Sequence, residues 1–138
     1  MKLSVCLPDK KTIVDAELAY FNDHYDIAVL SLTLDIKLEV ASLGSIPEYG
    51  QDVFILARNE NSSLMDSHGK ILCMEESDYM GRSYYMFLTC EIPKGGTGGA
   101  VIDRDGKFIG MAFHRSPHHA VISFSTVYSC FNMFMKFG

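Results

Sequence analysis

Hydrophobic and polar positions alternate along most of the chain. Leu3, Val5 and Leu7 alternate with Ser4 and Cys6, Pro8-Asp9-Lys10-Lys11 breaks the run, and Thr12 to Leu18 resumes it, which predicts a hairpin. Asp26 to Leu32 reads as a buried strand. Val53 to Ala57, Gly69 to Met74 and Tyr84 to Thr89 add short β-type runs, separated by segments rich in Gly, Asn, Ser and Asp. Val101 to Ile109 predicts the clearest hairpin: two apolar ends flank Asp105-Gly106, a dipeptide that tolerates the positive φ angles of tight turns. A polar loop follows from His114 to His119, then a strand from Ala120 to Phe124. The tail alone has helical spacing, with Ser125 as its expected cap and Val127, Phe131 and Phe134 recurring every three to four residues. Many short strands with regular turns predict an all-β sandwich or barrel.

Composition narrows the class. The chain has 138 residues and is 48% hydrophobic, enough for one ordinary core. A net charge of −5 provides no basic field for a phosphate backbone, so nucleic acid is not expected as a partner. Cys6, Cys73, Cys90 and Cys130 lack close pairing, which removes the usual zinc and thiol-redox signatures and leaves free thiols. No run approaches the ~20 apolar residues of a membrane span, and the start shows no signal peptide. The default expectation is a soluble intracellular protein of unassigned compartment, with no cofactor.

The most informative stretch is Lys94-Gly95-Gly96-Thr97-Gly98-Gly99-Ala100-Val101-Ile102-Asp103, followed by Asp105 to Gly110. It resembles the nucleophile loop of trypsin-like serine proteases, in which a Gly-x-Ser-Gly-Gly loop aims backbone N–H groups at the developing oxyanion and a hairpin holds it in place. A Gly-rich hairpin without chemistry is the plainer reading of that stretch alone. Three further pieces stand in the same order as in the Do-like (HtrA) branch of that family. These are the Lys2–Leu18 hairpin, the His24-Tyr-Asp-Ile-Ala-Val-Leu30 segment in which Asp26 takes the place of the orienting aspartate, and Tyr49-Gly-Gln-Asp-Val-Phe-Ile-Leu-Ala57. Val121 to Phe124 followed by a helix matches the close of the protease domain. The resemblance implies a trypsin-like double β-barrel whose first barrel is N-terminally truncated, with a short C-terminal helix. Residues 1–60 would form the partial first barrel, 61–124 the second, and 125–138 the helix.

The same resemblance assigns roles and exposes departures. Asp26 and Thr97 hold degenerate catalytic positions, the N–H groups of Gly95 and Thr97 hold the oxyanion hole, and Gly96, Phe113 and His114 line the substrate site. The family's general-base histidine belongs to a segment before Lys2, so the chain starts too late to contain it, and Thr97 replaces the serine. His24, two residues before Asp26, reads better as an exposed turn histidine than as a displaced base. Phe113 falls where the family usually has a small hydroxyl residue. Loss of any triad member leaves only about 10³- to 10⁴-fold acceleration over water. Threonine nucleophiles use their own N-terminal amine as base, and Thr97 is internal. Glu91 falls where a specificity-pocket floor could lie and equally reads as exposed.

His114, His118 and His119 lie close together, but Pro117 interrupts them and no acidic or thiol ligand is adjacent, so a surface loop without metal is expected. Three functions follow: an inactive homologue that binds peptides or proteins in its cleft, an active serine-type endopeptidase completed by an upstream segment or partner, and a degenerate fragment. An incomplete first barrel would leave the Lys2–Leu7 strand with an open edge, favouring self-association, and Val5→Pro is the substitution expected to disfavour it.

Overall fold

The computed structural model describes residues 2–9, 11–23, 26–33, 37–44, 47–59, 61, 63–76, 84–115 and 118–137. Within these, the side chains of residues 73–76, 84–85, 114–115, 118–120, 122, 124–126, 129 and 137 lie outside the description.

Two units form. The first holds residues 1–40 and 128–138, the second residues 41–127. In the first, the alternation read from the sequence folds as β1 (Leu3–Cys6), β2 (Ile13–Asn22) and β3 (Ile27–Leu32), an antiparallel sheet in the order β1-β2-β3. Asp9 makes the first reversal compact: its carboxylate accepts the backbone N–H groups of Lys11 (2.9 Å) and Thr12 (2.8 Å) and the Thr12 hydroxyl. These bonds, the Thr12 hydroxyl first, hold the Asp9 carboxyl below its ordinary pKa. Val14, Ala16 and Ile27 are the buried side chains of the sheet. A bulge between Leu18 and Tyr20 shifts the β2–β3 register. Beyond it the Tyr20 ring lies 6.2 Å from Phe134 and its hydroxyl donates to the Met133 sulfur at 3.8 Å.

The second unit is a closed six-stranded barrel in the order β4-β5-β6-β9-β8-β7. Its strands are β4 (Asp52–Arg58), β5 (Leu64–Glu76), β6 (Tyr84–Leu88), β7 (Ala100–Ile102), β8 (Phe108–Arg115) and β9 (His118–Ser123). Although β4 reads Asp-Val-Phe-Ile-Leu-Ala-Arg, the two-residue period of a strand sorts it: Val53, Ile55 and Ala57 are buried and Phe54 and Leu56 only half so. Val53 and Ile55 join Ile71, Met86, Leu88, Val101, Ile109, Ala112 and Val121 in the barrel core. The chain is thus mostly β, with helix α1 (Phe124–Phe137) at its end.

Several expectations change. The barrel takes β4, which lies before residue 61, because β4 pairs with both β5 and β7 and the barrel closes only through it. The expected 114–119 loop is strand, since β8 runs to Arg115 and β9 starts at His118, leaving 116–117 outside the described residues. Helix α1 starts at Phe124, so Ser125 lies inside it and the buried Ser123 holds the cap position, because a cap precedes the first helical residue. Between β7 and β8, Gly106 alone takes a positive φ (+77°), and Asp103 ties the turn by accepting the N–H groups of Asp105 and Lys107, each at 2.9 Å.

Candidate functional site

The Gly95–Gly99 loop leads into β7 and rests on β8. Its shape comes from two residues that only glycine populates at low cost, Gly95 (φ +79°) and Gly98 (φ +90°). Four backbone bonds latch it. The Gly96 N–H donates to the Pro93 carbonyl (2.7 Å), Gly98 to Ala112 (2.7 Å), Gly99 to Gly96 (2.8 Å), and Ala112 returns a bond to Gly99 (2.9 Å). Close packing fixes what the bonds begin. A Cβ at Gly96 would meet the Pro93 carbonyl oxygen at 2.7 Å, and one at Gly99 would strike the Leu56 carbonyl oxygen of β4.

These bonds use the N–H groups of Gly96, Gly98 and Gly99. The N–H groups of Gly95 and Thr97 donate to nothing among the described residues. Thr97 is exposed while Gly96 is buried, so the loop presents the threonine and hides its neighbour. An oxygen that accepts from unspent amides in a latched loop needs no reorganisation of the loop to be bound.

The other expected site residues are placed as follows. Gly95, Gly96 and Thr97 share this loop. Phe113 is half-buried in β8, opposite Ala120, one residue past the Ala112 that anchors the loop. His114 follows in β8, its side chain outside the description. Asp26 belongs to the other unit; it is exposed, precedes β3 rather than opening it, and has φ +59°, a value that aspartate tolerates better than most residues. His24 lies outside the described residues. Glu91 is exposed. Cys90 is half-buried against Gly69, and burial pushes its thiol pKa up, which disfavours the reactive thiolate. Among the described residues, no group of three or more His, Cys, Asp and Glu could hold a metal ion, and no helix is long and apolar enough to cross a membrane.

One charged cluster was not foreseen. Asp52, only 15% exposed, accepts Lys70 and His68 at 3.0 Å each and pairs with Arg104 at 3.2 Å. His68 also stacks on Phe54 at 4.7 Å. The Lys70 bond, then the His68 bond, holds the Asp52 carboxyl below its ordinary pKa. A lowered pKa means stability present at neutral pH and lost as pH falls through the folded-state value. Asp52→Asn is therefore expected to lower the melting temperature at pH 7, with the difference from wild type closing in strong acid; a pH-independent difference would contradict the ionic account.

Comparison with known proteins agrees with this geometry. The family model described as trypsin-like peptidase domain matches residues 2–111. No curated protein matches the chain. Among solved structures, the HtrA-type protease AlgW with decapeptide superposes with a TM-score of 0.81 at 19% identity, covering 99% of this chain and 45% of that one. The MamO protease domain from Magnetospirillum magneticum, in its apo form, gives 0.75 at 14%, covering 93% and 73%. The chain thus spans less than half of the AlgW chain.

Proposed function

Because the chain belongs to the family of trypsin-like peptidase domains, we propose that it is a Do-like protease homologue that binds peptides through its glycine loop and does not cleave them. The observation that carries this reading is the latched loop that exposes Thr97 and leaves the N–H groups of Gly95 and Thr97 unspent among the described residues; the resemblance gives Thr97 the nucleophile's position. Two N–H groups that donate to nothing among the described residues favour a carbonyl or carboxylate oxygen as acceptor, each such bond contributing about 1 kcal/mol net.

Threonine separates binding from turnover. Its hydroxyl needs a base to become a nucleophile, and its β-methyl restricts χ1 and crowds the approach to a carbonyl. Loss of the loop's latches would have argued for a degenerate fragment; their presence supports retained binding. A serine-type endopeptidase, which the family membership also favours, requires a histidine placed to take the Thr97 proton.

The experiment sets turnover of casein and peptide esters by the wild type against Thr97→Ala, with a fluorophosphonate probe alongside. Equal, background rates and no label on Thr97 are expected. A rate above the alanine variant, or covalent label at Thr97, would establish the endopeptidase instead.

A further inference from the structure

An apolar side chain on the inner face of a barrel strand is ordinarily covered, and on β5 one is not. The β4–β5 ladder pairs Ala57 with Met65 and Arg58 with Leu64, and directly opposed residues share one sheet face. Ala57 is buried on the face that also carries Val53 and Ile55 into the core. Met65 therefore takes the inner face and Leu64 the outer. Yet Met65 is 44% exposed, whereas Val53 and Ile55 are wholly buried, so the barrel interior is uncovered at the end where Met65 lies. The glycine loop borders this opening. A Cβ at Gly96 would lie 3.1 Å from the Ala57 Cβ and 3.0 Å from the Ile92 Cγ2 methyl. Ile92 is half-buried and packs against the core. Ala57, Met65 and Ile92 thus form an apolar margin beside Gly96, whose neighbours Gly95 and Thr97 hold the N–H groups unspent among the described residues.

We propose that Met65, with Ala57 and Ile92, forms a subsite that selects an apolar side chain in the peptide bound at the glycine loop. This rests on the reading of that loop as a peptide site and adds what the peptide must carry. Opposed Cβ atoms in a ladder lie about 5 Å apart, and an extended ligand advances about 3.3 Å per residue. Met65 is therefore within about two ligand residues of an oxygen held by Gly95 and Thr97. Methionine suits the role, because its unbranched, polarizable side chain adapts to aliphatic and aromatic partners alike. Covering it with an apolar group removes both surfaces from water. An acidic group there would lose hydration against three side chains that carry neither charge nor hydrogen-bond donor. Leu64, next in sequence and on the outer face, is the internal control.

Blocked heptapeptides with leucine, alanine or aspartate at the central position and glycine elsewhere test the assignment, titrated against the amide resonances of Gly95 and Thr97. The glycine host lets each peptide slide until its one side chain meets Met65. The leucine peptide is expected to bind the wild type about tenfold more tightly than the aspartate peptide, with alanine between them. Met65→Ser is expected to bring the three within about twofold, Met65→Lys to favour aspartate, and Leu64→Ser to keep the wild-type order. Melting curves of the peptide-free proteins establish that each variant is folded, and Met65→Gln replaces Met65→Ser if it is not. Equal affinity of the wild type for all three peptides would overturn the subsite and leave the peptide-site reading standing. So would a loss of preference in Leu64→Ser equal to that in Met65→Ser. No shift of either amide by any of the peptides would overturn the peptide-site reading, and the subsite with it.

Discussion

Gly99→Ala is expected to destabilise the protein by about 2–3 kcal/mol, the cost of forcing extra atoms into a packed site, and to abolish peptide binding. The added Cβ would strike the Leu56 carbonyl oxygen and lie 2.9 Å from that of Gly96. Neither atom is the free end of a flexible side chain; one belongs to the β4 ladder and the other accepts the Gly99 N–H itself. The loop must therefore lift from β4, and its bonds to Ala112 loosen with it. Gly106→Ala provides the comparison. That glycine has nothing within 4 Å and differs only in its positive φ of +77°, so its cost is confined to the left-handed backbone penalty of about 1–2 kcal/mol, and peptide binding is retained. Urea denaturation of the two variants decides. A Gly99→Ala variant as stable as Gly106→Ala, with binding intact, would show that the close approach to β4 does not hold the loop.

The 138-residue chain is expected to self-associate through β1, and the structure identifies which substitution stops it. β1 is an outer strand of the three-stranded sheet. The Leu7 N–H donates to Thr12 across the hairpin at 2.9 Å, which fixes the phase: Leu3, Val5 and Leu7 turn their backbone groups toward β2, and Ser4 and Cys6 turn theirs outward. An outer edge of this kind is a template for strand addition. Val5→Pro, the change expected from the sequence, removes an inner ladder bond and weakens the sheet instead. Ser4→Pro removes an outward donor and leaves the β1–β2 ladder whole. Under reducing conditions, which exclude cross-links through the exposed Cys6, light scattering of the wild type is expected to report a mass above 15.4 kDa and that of Ser4→Pro a return toward it. A monomeric wild type at high concentration would contradict the open-edge account.

What the sequence disclosed and what it hid divide along physical lines. The β7–β8 hairpin and the glycine loop were legible because their signals are local: Asp105-Gly106 states a turn, and consecutive glycines state a backbone that side chains would obstruct. The β1–β2 hairpin was legible for the same reason. Residues 114–115 and 118–119 were misread because a segment of histidine, serine and proline resembles loop composition, while the strand state of these four residues comes from pairing across the hairpin. Val5 was misassigned because hydrophobic alternation reports which sheet face a side chain takes. It carries nothing about the perpendicular direction in which the N–H and C=O groups bond. The Asp52 cluster draws its cations from β5 and from the turn after β7, so only the barrel's register brings them to one carboxylate. The positive φ of Asp26 is a property of the turn before β3 that the following apolar run concealed.

Binding without cleavage is the central claim, and the comparison of wild type with Thr97→Ala in one sample of peptide ester measures it most directly. The account predicts identical background hydrolysis by both proteins, while a synthetic decapeptide of casein sequence shifts the amide resonances of Gly95 and residue 97 in each. Hydrolysis by the wild type well above that of Thr97→Ala, or a decapeptide titration that leaves both amides unmoved, would contradict it.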